Sequence, residues 1–170
     1  MNHVVETQDQ ELRAHEDHHA SLRLWLRLLS CTTLVEETIR QKLREQFEIT
    51  LSRFDLMAQL ERHREGLTMG ELSRRMMVSG GNITVIVDQL EKEQLVQRQV
   101  AVSDRRSFRV LLTASGRKSF ARMALAHERW VVELFSGLDE RAQEQLNHLL
   151  GHLKTGIHRQ SAPLKSKETP

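Results

Sequence analysis

Residues 67–118 alternate helix-capping signals with short apolar patterns, and that order leaves few architectures open. Thr68 and Glu71 form a T-x-x-E box, in which hydroxyl and carboxylate satisfy the open amides at a helix start. The box predicts a short helix to about Met76. Ser79 is placed to cap a second helix running to about Glu93, with Ile83, Val87 and Leu90 turned inward. Val96, Arg98 and Val100 then alternate, as do Phe108, Val110 and Leu112, which predicts paired strands around a tip holding Asp104, Arg105 and Arg106. Thr113 caps the helix that follows. Two helices joined by a tight turn, then a hairpin, predict a helix-turn-helix with a wing.

The remainder predicts helices. Trp25, Leu28, Leu29, Thr32, Val35, Ile39, Leu43 and Phe47 recur at steps of three and four, the pattern of one long helix over 18–47. Over 22–29 this helix is apolar on nearly every side, interrupted by Arg23 and Arg27, so contact with more than one neighbour is expected there. Ser52 and Asp55 resemble a capping box for a helix reaching about His63. Phe120, Met123, His127, Val131 and Leu134 share one row of the helix after Thr113. Past Gly137, Asp139 starts a last helix with Leu146, Leu149, Leu150, Leu153 and Ile157 at core spacing. The expected fold is mainly α with a small β-hairpin wing. It comprises a winged helix-turn-helix domain over 51–113 and a helical dimerisation region from 18–48 and 114–160. A flexible lead-in over 1–17 and a flexible tail over 161–170, where both prolines lie, complete the chain.

Composition narrows the function. A chain of 170 residues fills one core, with room for a dimerisation extension. No apolar run approaches the roughly 18 residues of a membrane span, and the acidic, histidine-rich start has no apolar centre like that of a signal peptide. Cys31 is the single cysteine, which excludes an internal disulfide and suits a reducing cytoplasm. The net charge of +2 is unremarkable, but residues 96–122 hold seven basic side chains (Arg98, Arg105, Arg106, Arg109, Arg117, Lys118, Arg122) against one acid, Asp104. A cluster of that kind is the footprint of a phosphate-binding face, or else an ordinary solvated surface.

The order of elements favours the first reading. A helix that reads the major groove enters by its N-terminal end, where small residues let the backbone come close. Ser79, Gly80, Gly81, Asn82 and Thr84 supply such an end, with open N–H groups for phosphate and an amide and hydroxyl for bases. The two glycines cost helix stability, about 1 kcal/mol at each interior position, so close approach to another molecule is expected. Arg105 and Arg106 at the tip of a thin wing suit the narrow, negative minor groove, with Asp104 orienting an arginine.

These residues resemble the MarR (multiple antibiotic resistance regulator) family of bacterial regulators. The resemblance rests on ELSRRMMVS, ITVIVDQLEKEQLVQR, the D-x-R of Asp104 and Arg106, and LTASGR, over some 65 residues from about Leu51 to Lys118. It implies a homodimer built from the terminal helices, most often a repressor, on a pseudo-palindromic double-stranded DNA operator. Arg106 would then lie in the minor groove and the region of Ser79 to Thr84 in the major groove. Gln94 departs from the pattern, because the family usually has glycine after the recognition helix.

Family members commonly respond to small molecules, oxidants or metals. Arg23 and Arg27 lie four apart beside Trp25, so two guanidinium groups and a ring stand ready for an aromatic carboxylate or an aromatic acyl-coenzyme A. The alternative is that both arginines pair with acids such as Glu16 or Asp17, or reach to solvent. Cys31 offers a redox reading, yet its neighbours Leu28, Leu29, Leu34 and Val35 favour core packing. His15 and His19 have the i, i+4 spacing of metal ligands, but sit in a polar lead-in and define no metal site. His127 reads as a core or interface residue. No nucleophile, base and acid come together, and no phosphate-cradling loop appears, so neither an enzyme nor a cofactor is expected. A helical protein that dimerises without reading DNA remains the plain rival.

Overall fold

The computed structural model describes residues 20–101 and 104–161. In order the elements are α1 (Ala20–Phe47), α2 (Leu51–Arg62), β1 (Leu67–Thr68), α3 (Met69–Met76), α4 (Gly80–Lys92), β2 (Val96–Ala101), β3 (Asp104–Leu112), α5 (Ala114–Leu134) and α6 (Glu140–Ser161). The chain divides into two compact units, Met1–Trp130 and Val131–Pro170, with the boundary inside α5.

Local chemistry accounts for most starts and stops in the first unit. Thr68 and Glu71 form the predicted reciprocal box: the Thr68 amide donates to Glu71 Oε2 at 2.8 Å, and the Thr68 hydroxyl accepts from the Glu71 amide. The bond from the Thr68 amide, with the hydroxyl's bond beside it, holds the Glu71 carboxyl below its usual range. Ser79 caps α4 by accepting from the Asn82 amide. The start of α2 departs from expectation. Thr50, not Ser52, is its cap and accepts from the Arg53 amide, because Thr50 keeps an extended backbone while Ser52 is already helical. Gln94 adopts φ +59°, the left-handed alternative open to a non-glycine at this exit. The Gln94 amide donates to Glu91 O and the Leu95 amide to Leu90 O, both at 2.9 Å, a Schellman closure that satisfies orphan carbonyls of α4. The Thr113 hydroxyl donates to Gln94 O at 2.7 Å and braces the strained residue from the far side.

The sheet has one strand more than the sequence pattern predicts. Its order is β1-β3-β2, all antiparallel, with Leu67 opposite Val110 and Thr68 opposite Arg109. β1 is two residues long, too short to show a period of two. Gly66, at φ +83°, turns the chain into it, and a Cβ there would meet Val110 O at 2.9 Å. Gly116 is equally constrained, since its Cβ would fall 1.9 Å from Leu95 O, so the first turn of α5 lies directly on the exit from α4.

Leu43, Leu56, Met57, Leu60, Leu72 and Leu90 are among the side chains that fill the core. Each leucine buried in this way contributes about 1.5–3 kcal/mol relative to exposure. Ile83, Val87 and Leu90 are all buried, as the α4 row requires, and so are Val110 and Leu112. On α1, only Ile39 and Leu43 are buried. Leu22, Leu24, Trp25 and Leu29 are exposed, so among the described residues the several neighbours expected for residues 22–29 do not bury them. Cys31 is exposed too, which corrects the expectation of core packing.

In the second unit, Asp139 Oδ1 accepts from the Ala142 amide at 2.8 Å and caps α6 as predicted. Leu149, Leu150, Leu153 and Ile157 form an apolar row along α6, and all four are exposed in the single chain. No helix among the described residues is long and apolar enough to cross a membrane.

Candidate nucleic-acid interface

The turn between α3 and α4 is held by its own hydrogen bonds. Met77 sits at φ +54°, the Val78 amide donates to Ser73 O at 3.2 Å, and the Ser73 hydroxyl donates to Val78 O at 2.6 Å. That closure sets the angle at which α4 leaves α3 and presents Ser79, Gly80, Gly81 and Asn82, all exposed, at the start of α4. The Asn82 amide is taken by Ser79 Oγ. The Gly80 and Gly81 N–H groups belong to the set an α-helix leaves open at this end. Neither glycine has a positive φ, and a Cβ on either would meet nothing within 4 Å. The fold itself therefore does not require glycine at these positions. Thr84 is exposed, but its hydroxyl donates to Gly80 O at 3.0 Å, which leaves only its lone pairs for another molecule.

The basic cluster is less open than its composition implies. Arg98, on β2, is paired twice with α4: its guanidinium bonds Asp88 and Glu91, and its amide donates to Glu91 Oε1 at 3.2 Å. The bond to Asp88, reinforced by Glu91 against partial burial, holds Arg98 still more firmly protonated than usual. Arg109 Nη1 donates to Gly66 O at 2.7 Å, and Arg117 Nη1 donates to Leu112 O at 2.9 Å. Three of the seven cations thus brace the fold. Lys118 and Arg122 are exposed. The sequence pattern concealed the Arg98 clamp. Its only trace is a pair of acids, Asp88 and Glu91, three apart on the helix preceding β2.

The wing itself is antiparallel, with Val100 opposite Phe108 and Ala101 opposite Asp104. The side chains of Asp104, Arg105 and Arg106 lie outside the described residues, as do His15, Glu16, Asp17, His18 and His19. Arg23, Trp25 and Arg27 share the exposed N-terminal part of α1, where Trp25 is 57% exposed. A recess of about 500 Å³ lies further along α1, beside Glu36 and Arg40, and one of about 320 Å³ lies beside Arg53 and Glu93. Neither is lined by Arg23, Trp25 or Arg27. His127 is half-buried with its ring 5.0 Å from that of Phe54, and this burial lowers its pKa below the ordinary value. Among the described residues, no group of three His, Cys, Asp or Glu side chains is arranged to hold a metal ion.

A model of the MarR family matches residues 49–108, from the residue before the Thr50 cap to the outer half of β3. Those residues form a MarR family domain. The regulator is 29% identical to a MarR family transcriptional regulator of Silicibacter pomeroyi, with a TM-score of 0.71 over 84% of this chain and 98% of that one. It is 32% identical over 90 residues to YkoM of Bacillus subtilis, described as an HTH-type transcriptional regulator; the match covers 53% of this chain and 57% of YkoM. The fold is shared with the MarR family regulator Sco3205 of Streptomyces coelicolor, solved in complex with DNA. That match has 24% identity and a TM-score of 0.69, over 78% of this chain and 84% of that one. The chain is thus a transcriptional regulator with a winged helix-turn-helix, mainly helical with a small sheet.

Proposed function

We propose that this MarR regulator binds double-stranded DNA as a homodimer in the cytoplasm and acts as a repressor. Its operator is pseudo-palindromic, with half-sites about one helical turn apart. The observation that carries the DNA reading is the open start of α4, free of internal demands on Gly80 and Gly81, beside a wing tied to the same helix by Arg98. The DNA complex of Sco3205, which shares the fold, supports it. The exposed apolar rows on α1 and α6 support the homodimer, because contiguous apolar patches mark association surfaces. Arg106 enters the minor groove, in keeping with its place in the D-x-R of the wing. In fluorescence anisotropy with an operator duplex, Arg106→Ala should weaken binding and lower the salt slope by about one. Unchanged affinity at every salt concentration would remove the wing from the interface.

The effector is a small anionic aromatic compound or its coenzyme A thioester, held by Arg23, Trp25 and Arg27. Support comes from the two guanidinium groups beside an exposed indole on α1. A ligand releases DNA only through different affinities for two protein conformations. Phenolic acids and their thioesters are titrated against a preformed DNA complex. Arg27→Ala should respond only at higher effector concentration while binding DNA as the wild type does. Weakened DNA binding with an unchanged effector response would make Arg27 structural.

A further inference from the structure

The exposed face of α4 carries an aliphatic side chain where hydrogen-bonding groups would be the general means of reading base edges. Val85 is 56% exposed. At 100° per residue it stands opposite the buried row of Ile83, Val87 and Leu90, one turn beyond Gly81 on the same face. Along the half of α4 nearest its open end, it therefore points most directly away from the buried row. A β-branched residue there lowers helix propensity and gains no burial in return.

We propose that Val85 is a specificity-determining residue that reads the 5-methyl group of a thymine in each half-site. The inference rests on α4 being the DNA-reading helix. In the major groove every base edge except one presents only donors and acceptors, and valine can satisfy neither. The exception is thymine, whose C5 methyl offers an apolar surface of matching size. Gly81 lets the backbone approach one turn earlier, which brings a short side chain such as valine within reach. Gln89, one turn further on, and Asn82 carry the polar groups that would read flanking bases.

The test needs the full-length protein and an operator duplex selected by it from random DNA. Each thymine is replaced, symmetrically in both half-sites, by deoxyuridine, which removes the methyl group and keeps base pairing. One thymine position should show an affinity loss of about fourfold for each half-site, the effect of one methyl group leaving an apolar contact. Val85→Ala, whose melting temperature should match the wild type, should lose sensitivity at that position alone and keep its response elsewhere. Equal sensitivity of wild type and Val85→Ala at every thymine overturns the proposal and leaves the DNA reading intact. So does a selected operator with no methyl-sensitive position. Failure of the wild type to select any duplex overturns both.

Discussion

Glutamate at Leu149 and Leu153 is expected to convert the protein to a monomer and to abolish operator binding at the same time. Both residues lie on the apolar row of α6 and are exposed in the single chain. Their burial in a symmetric interface would force four carboxylates, two from each protomer, into an apolar surface. The DNA consequence follows from linkage. Two half-sites bound by one dimer gain an effective concentration that two separate monomers lack, and losing it costs on the order of a hundredfold or more. Sedimentation velocity at micromolar concentration and anisotropy on the same samples measure both effects. A variant that stays dimeric would move the interface elsewhere. A monomer that keeps wild-type affinity would show that one winged helix suffices.

Arg98→Met should weaken operator binding about tenfold, equivalent to about 1.4 kcal/mol, without changing its dependence on salt. Methionine keeps the apolar stem of the side chain and removes the charge that joins β2 to Asp88 and Glu91 on α4. The recognition helix and wing would then be free to change their relative angle, and the DNA must reimpose it on binding. Stability should fall by about 1 kcal/mol or less, because the carboxylates on the other side of the pair are partly exposed and screened. The salt slope separates positioning from contact: a cation on a phosphate lowers the slope by about one when removed, and a positioning residue does not. A reduced slope in Arg98→Met would place the guanidinium on DNA and overturn the clamp.

The local rules were legible because they act over three or four residues. Thr68 with Glu71, Ser79 with Asn82 and Asp139 with Ala142 are contacts the chain makes with itself inside one helical turn, so residue type and spacing determine them. The buried row of α4 follows from the same periodicity, and the hairpin from alternation over 96–100 and 108–112. Sequence by itself thus determined the helix-turn-helix, its wing and the MarR resemblance. Contacts between distant segments were decided only in three dimensions. β1 exists because Leu67 and Thr68 find Val110 and Arg109, some forty residues on in the chain. A count of cations could not separate Arg98, Arg109 and Arg117, which bond to the protein, from Lys118 and Arg122, which remain exposed. Gln94 could take its left-handed turn without glycine because Thr113, from the far strand end, hydrogen-bonds its carbonyl. Cys31 and the leucines of α1 read as core by pattern, yet pattern reports only that a face is apolar. Which surface covers that face depends on packing partners that periodicity does not encode.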